Sequence, residues 1–322
     1  MELYATGHNA WHQLQFKDPG STEEPDDIST FTSVLSTDDA ILSVRPFSSY
    51  TAVYIKNNLN PQLAGLLPQT HQLLLETRPE IYHNLVEASN NIIVAPSTSS
   101  PNTLHQHQSL TSFLLNENPP TSVPLNLSPN TSISQLISYE TGFAALTSTA
   151  EVYTWGDERY SSCLGRDVNT SSTALIPGLV PDLLDLPTGP ITKISAGGYT
   201  LAALTVGNDL YLWGDLGRTP TLSSLNLSDR PDPAIVCEEG EEEGKDIADV
   251  AVGVSHIIVL TTDGEVYAIG DNTNLQLGIP GVESVKNWTR VRIDFGKQPA
   301  PCSIVGVDAG PRNSFLIVRA KH

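Results

Sequence analysis

Apolar residues along this chain fall into short runs that come in pairs. The first run of a pair opens on small residues, as in Ile194-Ser-Ala-Gly-Gly-Tyr-Thr-Leu-Ala-Ala-Leu204. The second alternates, as in Asp209-Leu-Tyr-Leu-Trp-Gly-Asp215. Short runs with aromatic and branched residues, bounded by turn formers, predict strands. The intervening Gly207-Asn208 and Thr262-Asp263-Gly264 predict tight hairpins between paired runs.

The pairing repeats. Second runs are Glu2-Leu-Tyr-Ala-Thr-Gly-His8, Glu151-Val-Tyr-Thr-Trp-Gly-Asp157, Asp209–Asp215 and Glu265-Val-Tyr-Ala-Ile-Gly-Asp271. Three continue, into Trp11-His12-Gln13-Leu14, Ser162-Cys163-Leu164-Gly165 and Leu275-Gln276-Leu277-Gly278. First runs recur as Val250–Leu260 and Val307–Ile317, more weakly as Arg45–Ile55 and Leu136–Leu146, and faintly as Leu85–Val94. A unit of this kind buries its faces only by stacking on copies of itself, so the expected fold is an all-β, closed β-propeller. Inner strands ending at Ile55, Val94, Leu146, Leu204, Leu260 and Ile317 point to six blades; a seventh would have to come from 17–133.

The blades over about 40–133 are degenerate, while 134–322 together with 1–16 repeat clearly. The whole of 1–322 reads as a single propeller domain. The chain opens on the second half of a unit and ends on the first half. Pairing of the terminal strands should therefore complete one blade and close the ring. In the repeat, Tyr4, Tyr153, Tyr211 and Tyr267 are expected to be structural, with Trp155 and Trp213 packed between blades. Gly7, Gly156, Gly214 and Gly270 should let the chain leave a strand at an unusual backbone angle. Asp157, Asp215 and Asp271 should cap turns. Gly197, Gly253 and Gly310 should sit where strands crowd together.

The succession apolar-x-x-Ala-Gly-Gly-x-x-x-x-Ala-Leu-Thr, then x-Leu/Val-Tyr-x-Trp-Gly-Asp, then Gln-Leu-Gly resembles the regulator of chromosome condensation repeat. Ala309-Gly310-Pro311-Arg312-Asn313 and Leu183-Leu-Asp-Leu-Pro187 add to a likeness to the small single-propeller members. The resemblance implies a non-enzymatic protein-interaction scaffold, chromatin- or chromosome-related through a JmjC-type oxygenase partner. It also leaves open nucleotide exchange on a Ran-like GTPase and a role as substrate-recognition partner in ubiquitin ligation. The exchange reading finds neither a basic tail nor a recognisable wedge segment here.

Charge narrows the partners. Lys and Arg number 17 against 36 Asp and Glu, giving a net charge of −19. Phosphate backbones repel such a surface unless a basic patch intervenes, and the cations form no run, so direct nucleic-acid binding is not expected. Basic protein partners are, such as a histone-like tail. The run Cys237-Glu-Glu-Gly-Glu-Glu-Glu-Gly-Lys-Asp246 reads as a solvated insertion or as an electrostatic contact for a basic peptide. The candidate contact residues are Glu238, Glu239, Glu241, Glu242 and Glu243, with Trp288 and Arg312 on the rim. Lys17–Thr30 reads as a polar, acidic loop. Pro96–Pro129 reads as a long rim loop or an irregular outer strand.

No motif for catalysis, phosphate binding or metal ligation is present, so catalytic residues, cofactor and metal are all expected to be absent. His8 and His12 read as ordinary rim residues, and His256 as a hydrogen-bonding structural histidine. No apolar stretch is long enough to span a membrane, and the start of the chain lacks signal-peptide character. Three scattered cysteines fit a reducing compartment, nuclear or cytoplasmic. The expected assembly is a monomeric propeller.

Overall fold

The computed structural model describes residues 1–320 apart from 18–23, 59, 83, 98–102, 116–119, 126, 128–129, 216–219, 241–242 and 297–301. Its strands, in chain order, begin with β1 (Glu2–Gly7) and β2 (Ile28–Ser36). Then come β3 (Ile41–Pro46), β4 (Tyr50–Ile55) and β5 (Gln62–Gly65). Next are β6 (Val86–Glu87), β7 (Ile93–Pro96), β8 (Thr103–His107) and β9 (Thr121–Pro124). They are followed by β10 (Ile133–Tyr139), β11 (Gly142–Thr147), β12 (Val152–Gly156) and β13 (Gly178–Leu179). After these stand β14 (Ile191–Gly197), β15 (Thr200–Thr205), β16 (Leu210–Gly214) and β17 (Asp232–Pro233). The last are β18 (Ile247–Val252), β19 (His256–Thr261), β20 (Val266–Asp271), β21 (Ser284–Arg290), β22 (Cys302–Ala309) and β23 (Asn313–Ala320).

These strands form six antiparallel sheets, each a meander except one: β3-β4-β5, β6-β7-β8-β9, β10-β11-β12-β13, β14-β15-β16-β17, β18-β19-β20-β21 and the mixed-origin β22-β23-β1-β2. The chain is a six-bladed β-propeller. The six predicted inner strands are β4, β7, β11, β15, β19 and β23, and each contains the residue at which it was expected to end. In the last blade Glu2 pairs with Val318 and Gly7 with Asn313, so the terminal strands do share a sheet as the half-units required.

Two compact units divide the chain. One holds Met1–Leu67, Thr219–Asn226 and Ile235–His322, and so the blades β3–β5, β18–β21 and β22-β23-β1-β2. The other holds Pro68–Arg218 and Leu227–Ala234, with the remaining three blades. In the first unit Tyr4, Ile258, Ala268, Leu277, Val307 and Leu316 make one core, and Leu3, Leu14, Val53, Ile55 and Phe315 another. In the second, Trp155 packs with Phe143, Val94 and Leu104, and Trp213 with Cys163, Val180, Ile194 and Leu201. Both tryptophans are thus buried between neighbouring blades, each such side chain worth roughly 2–3 kcal/mol of apolar burial.

The repeat glycines act as expected in three copies of four: Gly7, Gly214 and Gly270 have φ of 109°, 142° and 116°, whereas Gly156 does not have a positive φ. The residue after each then returns to the first hairpin. His8, Asp157, Asp215 and Asp271 donate their N–H to the carbonyls of Arg312, Thr141, Tyr199 and Ser255, at 2.9–3.0 Å. Asp157 also caps the following turn through Arg159 N–H (3.0 Å), and Asp271 accepts from the Gln276 amide (2.8 Å). Leu-Gly has its own reason. A Cβ on Gly165 would meet Trp213 Nε1 at 2.8 Å, and one on Gly278 would meet the Phe31 ring at 2.8 Å. Each glycine makes room for an aromatic of the adjoining blade.

The strand before each inner strand, β6 excepted, carries a register shift near its start, at Ser43, Gln135, Lys193, Asp249 and Gly306. Two of the displaced side chains latch onto the next blade. Gln135 Oε1 accepts from Ile194 N–H (2.8 Å), and Asp249 Oδ2 from Val307 N–H (2.9 Å).

The stretch Pro96–Pro129 is neither a rim loop nor one irregular strand. It holds β8, β9 and a short helix, Leu110–Leu114, whose start is closed by a Ser109–Ser112 capping box. Two more helices, Gln69–Thr77 and Pro79–Tyr82, precede β6. They bury His71, Leu74 and Tyr82, and His71 Nε2 lies 3.2 Å from Glu87 Oε2. Among the described residues no helix is long and apolar enough to cross a membrane.

Candidate interaction surface

One end of the first unit gathers its hairpin turns. The turns at 47–49, 253–255 and 310–312 join inner strand pairs and stand side by side. A Cβ on Gly253 would meet Gly310 O at 2.7 Å, and one on Gly310 would meet Pro46 Cβ at 2.6 Å. The connections 8–27 and 272–283 leave at this same end, because Gly7 pairs with Asn313 and Gly270 with His256.

Two of the turns at this end are copies of each other. Asn9 and Asn272 are both buried, and their Oδ1 atoms accept from Leu14 N–H (3.0 Å) and Leu277 N–H (2.8 Å). Gln13 and Gln276 are fully buried, and their Oε1 atoms accept from Trp11 N–H and Asn274 N–H, both at 2.9 Å. His12 (φ 59°) and Leu275 (φ 63°) take the same left-handed conformation. The loosely matched Trp11-His12-Gln13-Leu14 is therefore a full structural copy. They differ at the tip, Trp11 in one and Asn274 in the other, and in the asparagine amide, which donates to Asp26 O in the first and to Ile279 O and Val282 O in the second.

Trp11 is 50% exposed, whereas Trp155, Trp213 and Trp288 are 1%, 0% and 6% exposed. Its turn is rigidly set: Asn9 N–H donates to Asp27 Oδ1 (2.8 Å), and His12 Nδ1 lies 2.7 Å from Gln15 Oε1. Beside it, Gln13 Nε2 donates to Ser48 O (3.4 Å), and the exposed Leu66 donates its N–H to Ser49 O (2.8 Å). Phe47 stacks on Tyr50 at 4.3 Å, with the Arg45 guanidinium 5.8 Å from the Phe47 ring. Exposed Val254 and Arg312 complete this end. An exposed tryptophan held on a rigid turn loses little entropy when a partner covers it, as in interface hot spots.

His256 lies beneath this surface and is fully buried. Its Nε2 is 2.9 Å from Ser314 Oγ, which itself donates to Gln276 O (2.7 Å), so Nε2 carries the proton and Ser314 accepts it. Burial holds the imidazole down to a pKa of about 4. It is a structural residue that ties the Asn272–Leu277 turn to the neighbouring blade. His8 pairs with Asp27 (3.3 Å).

The contact residues expected from the sequence do not come together. The acidic run lies at the opposite end, where Asp246 O accepts from Thr262 N–H in the β19–β20 turn (2.9 Å). Glu238, Glu239 and Glu243 are exposed there, and Glu239 Oε2 accepts from Asn287 Nδ2 (3.4 Å). Glu241 and Glu242 lie outside the described residues. Arg312 is exposed, but at the turn end. Trp288 is a correction: it is not a rim contact. In β21 its neighbours Lys286 and Asn287 face water while Trp288 faces the core. Trp11 is the exposed residue at the turn end that sequence reasoning did not single out. Its signal was available in the alignment itself, since the matching turn carries a polar Asn274 at that position.

Comparison with known proteins agrees with this geometry. The model of the "Regulator of chromosome condensation (RCC1) repeat" matches residues 247–276, which run from β18 to the Asn272 turn. The chain is 30% identical over 186 residues to the Arabidopsis thaliana "RCC1 domain-containing protein RUG3, mitochondrial". That match covers 55% of this chain and 38% of the relative, so the chain spans well under half the relative's length. Human WBSCR16 superposes over 100% of this chain and 99% of its own, with a TM-score of 0.57 and 14% identity. Prp20p from Saccharomyces cerevisiae, in a structure reported with its binding properties to Gsp1p and histones, covers 100% and 92%, with a TM-score of 0.55 and 14% identity. At such identity the two structures speak for the fold alone.

Proposed function

We propose that the chain, whose residues 247–276 match the regulator of chromosome condensation repeat, is a non-enzymatic scaffold that binds a protein partner at the Trp11 end. The observation that carries this reading is the display of Trp11 on a turn whose twin does without it. Building the turn needs Asn9, Gln13 and Leu14; it does not need tryptophan. Half of the indole stays open to water, where it offers a partner a large apolar anchor. The net charge of −19 favours association with a basic partner by long-range attraction.

Histone-like tails and a small GTPase are the first probes; the Prp20p structure is reported with its binding properties to Gsp1p and histones. A JmjC-type oxygenase is the third probe, a nuclear or cytoplasmic compartment is the setting, and the whole chain works as one propeller domain. The test is affinity capture with the wild-type chain and Trp11→Ala, followed by titration of each probe. A partner retained by wild type and lost from Trp11→Ala, with an unchanged unfolding midpoint, supports the reading. A partner bound equally by both removes the Trp11 end from it. Acceleration of labelled GDP release from a Ran-like GTPase would replace the scaffold reading with nucleotide exchange.

A further inference from the structure

The outer strands of the blades are unequal in length and in how they are covered. β13 and β17 have two residues each and β5 and β9 four each. β21 has seven, but its edge carries Lys286 and Arg290. A 3-10 turn over Pro220–Leu225 also covers it, with Ser224 Oγ donating to Lys286 O. β2 has nine residues, Ile-Ser-Thr-Phe-Thr-Ser-Val-Leu-Ser, and lies at the end of its sheet. Among the described residues no strand pairs with its outer side. It carries no charge and no proline, the usual guards of an exposed edge. Phe31 and Leu35 face the core, and Ser29, Thr30, Thr32 and Ser33 face water.

Acids stand at both ends of this edge. Exposed Glu24 and Asp26 precede it, and exposed Asp38 and Asp39 follow it. We infer that β2 is a strand-addition site for an extended, threonine/valine-type segment of a partner protein that carries Lys or Arg at both ends. Main-chain hydrogen bonds to the free edge supply the affinity, and the flanking acids select the basic ends. Two register shifts in the β1–β2 pairing, between Leu3 and Tyr4 and between Ala5 and Gly7, twist the edge. That twist works against a flat pairing with a second copy of this chain. The inference goes beyond the scaffold reading and does not depend on Trp11.

The test uses the full chain and a fluorescein-labelled synthetic peptide, Lys-Lys-Thr-Val-Thr-Val-Thr-Val-Thr-Lys-Lys, followed by anisotropy. Binding is expected, with new amide-exchange protection confined to residues 28–36. The same peptide N-methylated throughout its Thr/Val core should bind at least about tenfold more weakly, because it keeps its charge but cannot donate to the edge. The pair Asp26→Lys with Asp38→Lys should weaken the unmodified peptide by about tenfold at low salt, and less at high salt. The Trp11→Ala variant should bind it unchanged, which separates this site from the scaffold reading. No binding, equal binding of the methylated peptide, or protection outside 28–36 overturns the proposal. So does a concentration-dependent dimer of the free chain with 28–36 protected, which would make a second copy the occupant.

Discussion

The turns Asn9–Leu14 and Asn272–Leu277 use one construction for two purposes. In each, a buried asparagine closes the loop by accepting from the leucine N–H five residues on, and a buried glutamine fixes the tip. In the second, the glutamine carbonyl also receives Ser314, which His256 holds in place. That turn is tied inward and shows Asn274. The first shows Trp11. Comparing them separates the residues that make the turn from the residue that the turn makes available.

Removing one twin altogether should have the largest effect. Deleting residues 1–16 takes out β1, which lies between β2 and β23, together with the Trp11 turn. The blade β22-β23-β1-β2 would lose its middle, and the expected outcome is loss of a cooperative thermal transition by circular dichroism. A wild-type transition in the deleted chain would refute the shared blade.

Acid should act on the His256-tied turn. The folded chain keeps His256 neutral, with its pKa lowered from 6.5 to about 4, so between those values the unfolded chain binds more protons. The stability this contributes is complete above pH 6.5 and falls as the pH drops towards 4, by on the order of 3 kcal/mol for that pKa difference. Urea midpoints measured from pH 7 to 4.5 should drop less steeply in His256→Asn than in wild type, whatever the variant's starting stability.

A smaller effect should be shared by the twins. Asn9→Ala and Asn272→Ala each leave a buried leucine N–H without an acceptor, which costs about 2 kcal/mol. Asn272→Ala should cost more than Asn9→Ala in chemical denaturation, because Asn272 Nδ2 also donates to Ile279 O and Val282 O (both 2.7 Å), whereas Asn9 Nδ2 donates to Asp26 O at 3.4 Å. The smallest effects concern display. Trp11→Asn should change stability by less than about 0.5 kcal/mol, as surface substitutions do. A large loss in Trp11→Asn would mean that the indole is part of the fold.

The blades were legible because their signals are local. Each inner strand is a run of apolar residues closed by a turn, and six of six were placed. The helices Gln69–Thr77 and Leu110–Leu114 were not, since they lie where the repeat has decayed and their apolar faces are short. The same decay hid β8 and β9 inside a polar stretch read as a rim loop or an irregular outer strand. The contact surface was only half legible. Glu238, Glu239 and Glu243 of the acidic run are exposed, and their distance from Arg312 follows from which end of β18 or β23 each flanks.

By itself, the sequence determined the repeat, the six strand pairs and the half-blade that β1 completes, because hydrogen-bonded hairpins follow from neighbouring residues. Only the tertiary structure decided which tryptophan meets water. Trp288 is buried in β21, whereas Trp11 stands on a tip that leaves half of it open to water. Composition is the same for both; exposure is decided by the direction in which packed strands and capped turns point a side chain.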